Sequence, residues 1–184
     1  CATIIAKEDM YMKENYAVLI VLFLFFGFFA GCQEKVVPQT VKEYPLNSME
    51  GIIAKTNVVH DPAVSSDGKG SVRIDASSPL TVRLFEVTGL DIENARLTYR
   101  AKLKRKDAEG KVYLEMWCVF KGKGEYFSRA LESPVTGNTD WVTQETPFFL
   151  KKGQMPELIK LNVVLDGKGT VWVDDIKIIK GPLK

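Results

Sequence analysis

Tyr113, Glu115 and Trp117 alternate with Leu114, Met116, Cys118 and Phe120 along the stretch KVYLEMWCVF, residues 111–120. A period of two is that of a β-strand with one face against a core. The other face then carries two aromatic rings around a carboxylate, where a solvated strand ordinarily carries Lys, Thr and Glu. Flat rings match the C–H faces of a polar ligand, and a carboxylate accepts hydrogen bonds from its hydroxyls. Arg96, Thr98 and Arg100 hold the non-core parity of ARLTYRAKL, and Asn162 holds it in KLNVVL. If these strands share one sheet, rings, carboxylate, guanidinium groups and an amide line one groove. The competing reading is that the rings only cover aliphatic stems of Arg and Lys, or pack beneath a loop.

Other chemistry is thinly supplied. The one histidine, His60, stands beside Asp61 and Pro62 in a turn-like, exposed setting. No nucleophile elbow, HExxH or CxxC occurs. A glycosidase needs two carboxylates on one face, and no partner for Glu115 is visible in the pattern. The chain reads as non-enzymatic, with a hydrolase as the weakest alternative. A formal net charge of +2 over 184 residues is too balanced for binding nucleic acid through its backbone charge.

The elements around the trio are all β. GSVRIDAS, LTVRLFEV, ARLTYRAKL, EYFSRAL, WVTQETPFFL, IKLNVVL and TVWVDDIKII are short, rich in β-branched and aromatic residues, and separated by Gly-, Asn- and Asp-containing turns. GIIAKTNVV reads as a further strand. No 12-residue stretch has a convincing helical face. Eight or nine strands at this spacing predict a two-sheet antiparallel β-sandwich. DGKG occurs at residues 67–70 and 166–169. The second copy reads as a hairpin turn and neither as a phosphate loop, because no helix follows.

The N-terminal part carries an address. AVLIVLFLFFGFFAG, residues 17–31, is uncharged, follows Met12 and Lys13, and is shorter than the roughly 20 residues of a membrane span. Phe29-Ala30-Gly31-Cys32 resembles the bacterial lipobox, which implies a signal peptide over 12–31 and lipid, palmitate included, on Cys32. An uncleaved anchor is the alternative. Gln33 rather than Asp after that cysteine points, by the same resemblance, to the outer membrane of a cell envelope. Residues 1–11 read as translated upstream sequence. Residues 32–47, polar and with two prolines, read as lipidated cysteine plus tether, and 48–182 as the domain. Cys118 has core parity and reads as a buried, inert thiol with no disulfide partner.

DGKGSVRIDAS, NTDWVTQETPFFLKKG and the closing GTVWVDDIKI, in that order, resemble the galactose-binding-like jelly rolls, carbohydrate-binding modules in particular, over residues 48–182. The likeness extends to single-module bacterial lipoproteins. It implies a jelly roll in which one sheet presents a concave, glycan-binding face, with Tyr113, Glu115, Trp117, Arg96, Arg100 and Asn162 as candidates. It also implies a structural Ca²⁺ between first and last strands, held by Glu50, Asp67 and one of Asp174 and Asp175 with backbone carbonyls. Trp141 is then a core residue, and Trp172 a sheet-packing or rim residue. A lipid-tethered sandwich that docks on another envelope protein is the alternative to a glycan binder.

Overall fold

The computed structural model describes residues 37–183. Cys32, the lipobox-like segment and residues 1–11 lie outside the described residues. Eleven strands follow one another: β1 Gln39–Tyr44, β2 Val58–Asp61, β3 Ser71–Ala76, β4 Leu80–Val87, β5 Ala95–Lys106, β6 Lys111–Phe120, β7 Gly124–Arg129, β8 Val135–Thr136, β9 Thr139–Leu150, β10 Leu158–Asp166 and β11 Gly169–Gly181. Among the described residues there is no helix.

The strands form two antiparallel sheets, a β-sandwich of jelly-roll type. Six strands in the order β2-β3-β11-β5-β9, with β1 also on β11, face five in the order β4-β10-β6-β7, with β8 also on β6. Alternation places Leu97, Tyr99, Ala101 and Leu103 of β5 and Leu114, Met116 and Cys118 of β6 at 0% exposure between the sheets. Burial pushes the Cys118 thiol up to about 12.

Three local readings change. The tether contains a strand: β1 pairs with the C-terminal half of β11, Tyr44 stacks on Phe85 at 3.8 Å, and Leu46 is buried. A polar six-residue strand with a long-range partner leaves almost no local signal. GIIAKTNVV is mostly irregular, its Ile53 and Ala54 amides reaching the Leu84 and Arg83 carbonyls at 3.0 and 3.2 Å. His60 lies in β2 opposite Val72, half-buried, rather than in an exposed turn.

The DGKG at 166–169 joins β10 to β11. A Cβ on Gly169 would stand 2.4 Å from the Ala108 Cα, because the β5–β6 turn packs against this one, with the Glu109 amide on the Lys168 carbonyl at 2.8 Å. Only glycine permits that approach. Arg105, at 1% exposure, fixes the same end of the sandwich by donating to the carbonyls of Glu109 at 3.1 Å, Gly110 at 3.2 Å and Val135 at 2.5 Å.

Candidate functional site on the outer face of the five-stranded sheet

Glu115 and Trp117 project from β6 on the side away from the core, while Tyr113, of the same parity, is half-buried and packs against the core cluster. Register adds what the neighbouring strands contribute there. Asn162 and Lys160 of β10 lie opposite Glu115 and Trp117, and Arg129 and Phe127 of β7 lie opposite the same two residues on the other side. Arg83 of β4 lies opposite Asn162.

Two layers result. The lower one is polar: Asn162 Nδ2 donates to Glu115 Oε1 at 2.8 Å and Arg129 Nε donates to Glu115 Oε2 at 2.5 Å. A carboxylate only accepts, so this bond fixes the amide orientation and leaves Asn162 Oδ1 as a buried acceptor without a partner. Desolvation works to raise the Glu115 pKa, but the Asn162 amide, the Trp117 indole N–H and the Arg129 guanidinium outweigh it and hold the group below its ordinary value. The upper layer is aromatic. The rings of Trp117 and Phe127 meet at 5.0 Å with a 49° tilt, and the Arg129 guanidinium lies 4.3 Å over the Phe127 ring. Phe127 is 51% exposed and Trp117 half-buried.

Glu115 therefore differs from the expected hydroxyl acceptor. At 3% exposure, with both oxygens committed, it positions the arginine and the amide instead of facing solvent. Arg96 and Arg100 belong to β5 and hence to the six-stranded sheet, on the far side of the sandwich from the trio. Arg100 pairs there with Glu145 at 2.5 Å. That outer face is covered by ion pairs, among them Lys104–Asp140 at 2.9 Å and Lys177–Asp175 at 2.9 Å, as a solvated face is. Phe127 and Arg129 went unselected in the sequence because EYFSRAL has no clear buried parity: β7 is an edge strand, exposed almost throughout.

Other acids do share the face. Glu125 pairs with Lys160 at 2.7 Å and Glu86 with Arg83 at 2.9 Å, so each is held by a cation, as Glu115 is. An acid catalyst needs a carboxyl kept protonated near neutrality, and the shift at Glu115 runs the opposite way.

The acids assigned to calcium do not assemble. Among the described residues no group of three or more His, Cys, Asp or Glu side chains is placed to hold a metal ion. At a bulge in β11, between Asp174 and Lys177, pairing on one edge passes from β3 to β1. Asp174, 1% exposed, closes that gap by accepting the Ser66 and Asp175 amides, each at 2.8 Å. Asp175 takes φ 49° and turns to Lys177 at 2.9 Å and Lys102 at 3.6 Å, while Lys102 Nζ also reaches Ser66 Oγ at 3.2 Å. An ammonium is thus already engaged by Asp175 and by Ser66, whose amide Asp174 accepts. Asp67 accepts the Lys69 amide at 2.9 Å within its own turn, and Glu50 is exposed beside Tyr44 and Phe85. The donor set does not fit a calcium shell of six to eight oxygens.

Trp141 is half-buried and outside the core, because the start of β9 lies at the sandwich edge. Trp172 packs on the outer face of the six-stranded sheet at 7% exposure, its indole N–H on Asp61 Oδ2 at 2.8 Å.

No protein-family model matches the chain, and no curated protein matches it in sequence. Solved structures do match in fold. The CBM22-1 xylan-binding domain from Paenibacillus barcinonensis Xyn10C aligns with TM-score 0.60 and 11% identity, covering 80% of this chain and 97% of that one. A family 16 carbohydrate-binding module aligns with TM-score 0.54 and 12% identity, covering 72% and 92%. A cyclase from Fischerella sp. TAU aligns with TM-score 0.50 and 12% identity, covering 80% and 89%. The fold is thus that of a carbohydrate-binding-module-like jelly roll, a scaffold that also serves other activities.

Proposed function

We propose that the chain is a membrane-anchored, non-catalytic binding module that holds a glycan across the outer face of its five-stranded sheet. The observation that carries this reading is the Trp117–Phe127 pair at 5.0 Å, set beside Arg129, which Glu115 holds in place. Two tilted rings offer apolar surfaces to successive sugar C–H faces. Arg129, Lys160 and Tyr113 supply the donors around them. The likeness in fold to a xylan-binding domain supports this class of ligand. The anchor rests on Phe29-Ala30-Gly31-Cys32, with the outer membrane favoured by Gln33.

Affinity electrophoresis and calorimetry against xylan, β-glucans, mannans, galactans and peptidoglycan test the ligand. Binding to at least one, lost in both Trp117→Ala and Phe127→Ala, is the expected result. A silent panel sinks the glycan reading. Detergent-phase partitioning tests the anchor separately: wild type enters the detergent phase, and Cys32→Ser does not.

A further inference from the structure

The two ends of the sandwich are unlike. Register runs level across the six-stranded sheet from Gln39 to Lys180, from Lys180 to Leu97 and from Leu97 to Phe148. Three strand spacings, about 14 Å in all, therefore separate the point where the chain enters β1 from the C-terminal end of β9. At that end an open cleft of about 290 Å³ lies between the sheets, lined by Phe120, Tyr126, Phe148 and Phe149 with Lys123 and Lys151. Of the nine exposed large apolar side chains among the described residues, Val37, Tyr126, Phe127, Phe149 and Met155 lie at this end.

Charge follows the rings. The β6–β7 turn exposes Lys121 and Lys123, and the β9–β10 loop exposes Lys151 and Lys152. Among the described residues, none of the four lies in an ion pair. The acids of this end are partly committed: Glu125 pairs with Lys160, and Glu93 accepts the Gly153 amide. Asp91 and Glu157 remain against the four lysines. Rings and ammonium groups in one surface suit the headgroup layer of an anionic bilayer, where aromatic side chains settle and each nearby lysine strengthens association about fivefold.

We propose that this end of the domain docks on an anionic membrane surface, with Tyr126, Phe149 and Met155 at headgroup level and Lys121, Lys123, Lys151 and Lys152 on the lipid phosphates. The inference rests on the anchor at Cys32, which stands five residues before Val37 and so no more than about 18 Å of chain away. A tether that short brings this end, and not the β5–β6 end, to the bilayer. The five-stranded face then stands across the membrane plane, open from the side.

The test uses the full chain on vesicles of phosphatidylcholine alone and of phosphatidylcholine with phosphatidylglycerol. A water-soluble amine-acylating reagent reads each lysine, with exposed Lys106 and Lys111 at the opposite end as internal controls. On anionic vesicles Lys121, Lys123, Lys151 and Lys152 label several-fold more slowly than without lipid, and the controls do not change. Lys151→Glu with Lys152→Glu restores labelling of Lys121 and Lys123 while the chain still floats with the vesicles. Flotation with equal labelling at both ends overturns the docking and leaves the anchor standing. Equal protection on both lipids overturns the anionic partner. A chain that fails to float overturns the anchor, and the docking with it.

Discussion

Gln144 of β9 crosses from one sheet to the other to accept the backbone amide of Leu114 in β6 at 2.8 Å. β7 pairs with β6 only from Glu115 onward, and β8 only at Lys111 and Val112, so this amide falls in the gap between two edge partners. The same side chain donates through Nε2 to the Ser133 carbonyl at 2.6 Å, tying down the β7–β8 connection. Position 114 is the centre of the strand that presents the rings, so a residue of the far sheet supports the candidate site.

Gln144→Leu strands the Leu114 amide and the Ser133 carbonyl in the interior. Each unsatisfied buried group costs about 1–3 kcal/mol, and urea unfolding should show a loss of about 2–5 kcal/mol at unchanged m-value. Gln144→Glu keeps the acceptor and loses the donor, and it should fall between wild type and the leucine variant.

Glu115 titrates below its ordinary value of 4.5 in the folded protein. Its ion pair with Arg129 therefore contributes fully above that value and is lost as pH falls through the lowered folded pKa. Glu115→Gln should lower stability by about 1–3 kcal/mol at pH 7, and the gap to wild type should narrow below pH 4. A gap that stays constant down to pH 3 would show that folding does not lower the pKa of this carboxyl.

Asp174 closes the handover between β3 and β1 with two backbone amides, and Lys102 reaches the hydroxyl of Ser66, one of the two residues it holds. Asp174→Ala should cost about 2–4 kcal/mol by leaving both amides unpaired. Chelation by EDTA should leave the wild-type Tm in place. A fall on chelation, restored by calcium, would reassign Glu50, Asp67 and Asp174 as ligands.

Cys118, with its thiol raised to about 12, should react with a disulfide reagent at pH 8 only as fast as the sandwich opens. Labelling that tracks urea-induced unfolding is the expected result. Rapid labelling of the native protein would place the sulfur at the surface.

Much of the fold was legible because a sheet against a core writes itself locally. Leu97, Tyr99, Ala101 and Leu103, and Leu114, Met116 and Cys118, follow a strict period of two and all lie inside. β1 was not legible, because its signal is its partner strand. β7 was legible as a strand, but its edge position exposes both faces and leaves no alternation to say which side chains join Trp117 and Glu115.

By itself, then, the sequence determined most of the strands, the parity by which β5 and β6 enter the core, and that Tyr113, Glu115 and Trp117 share a face. These follow from steric preferences acting over a few residues. Only the tertiary structure decided which strands are neighbours. It sent Arg96 and Arg100 to the opposite sheet, set Phe127 and Arg129 beside Trp117 and Glu115, and turned a carboxylate of solvent parity into a buried support. Pairing between distant strands is won by whole-sheet hydrogen bonding and core packing, and no local period encodes it.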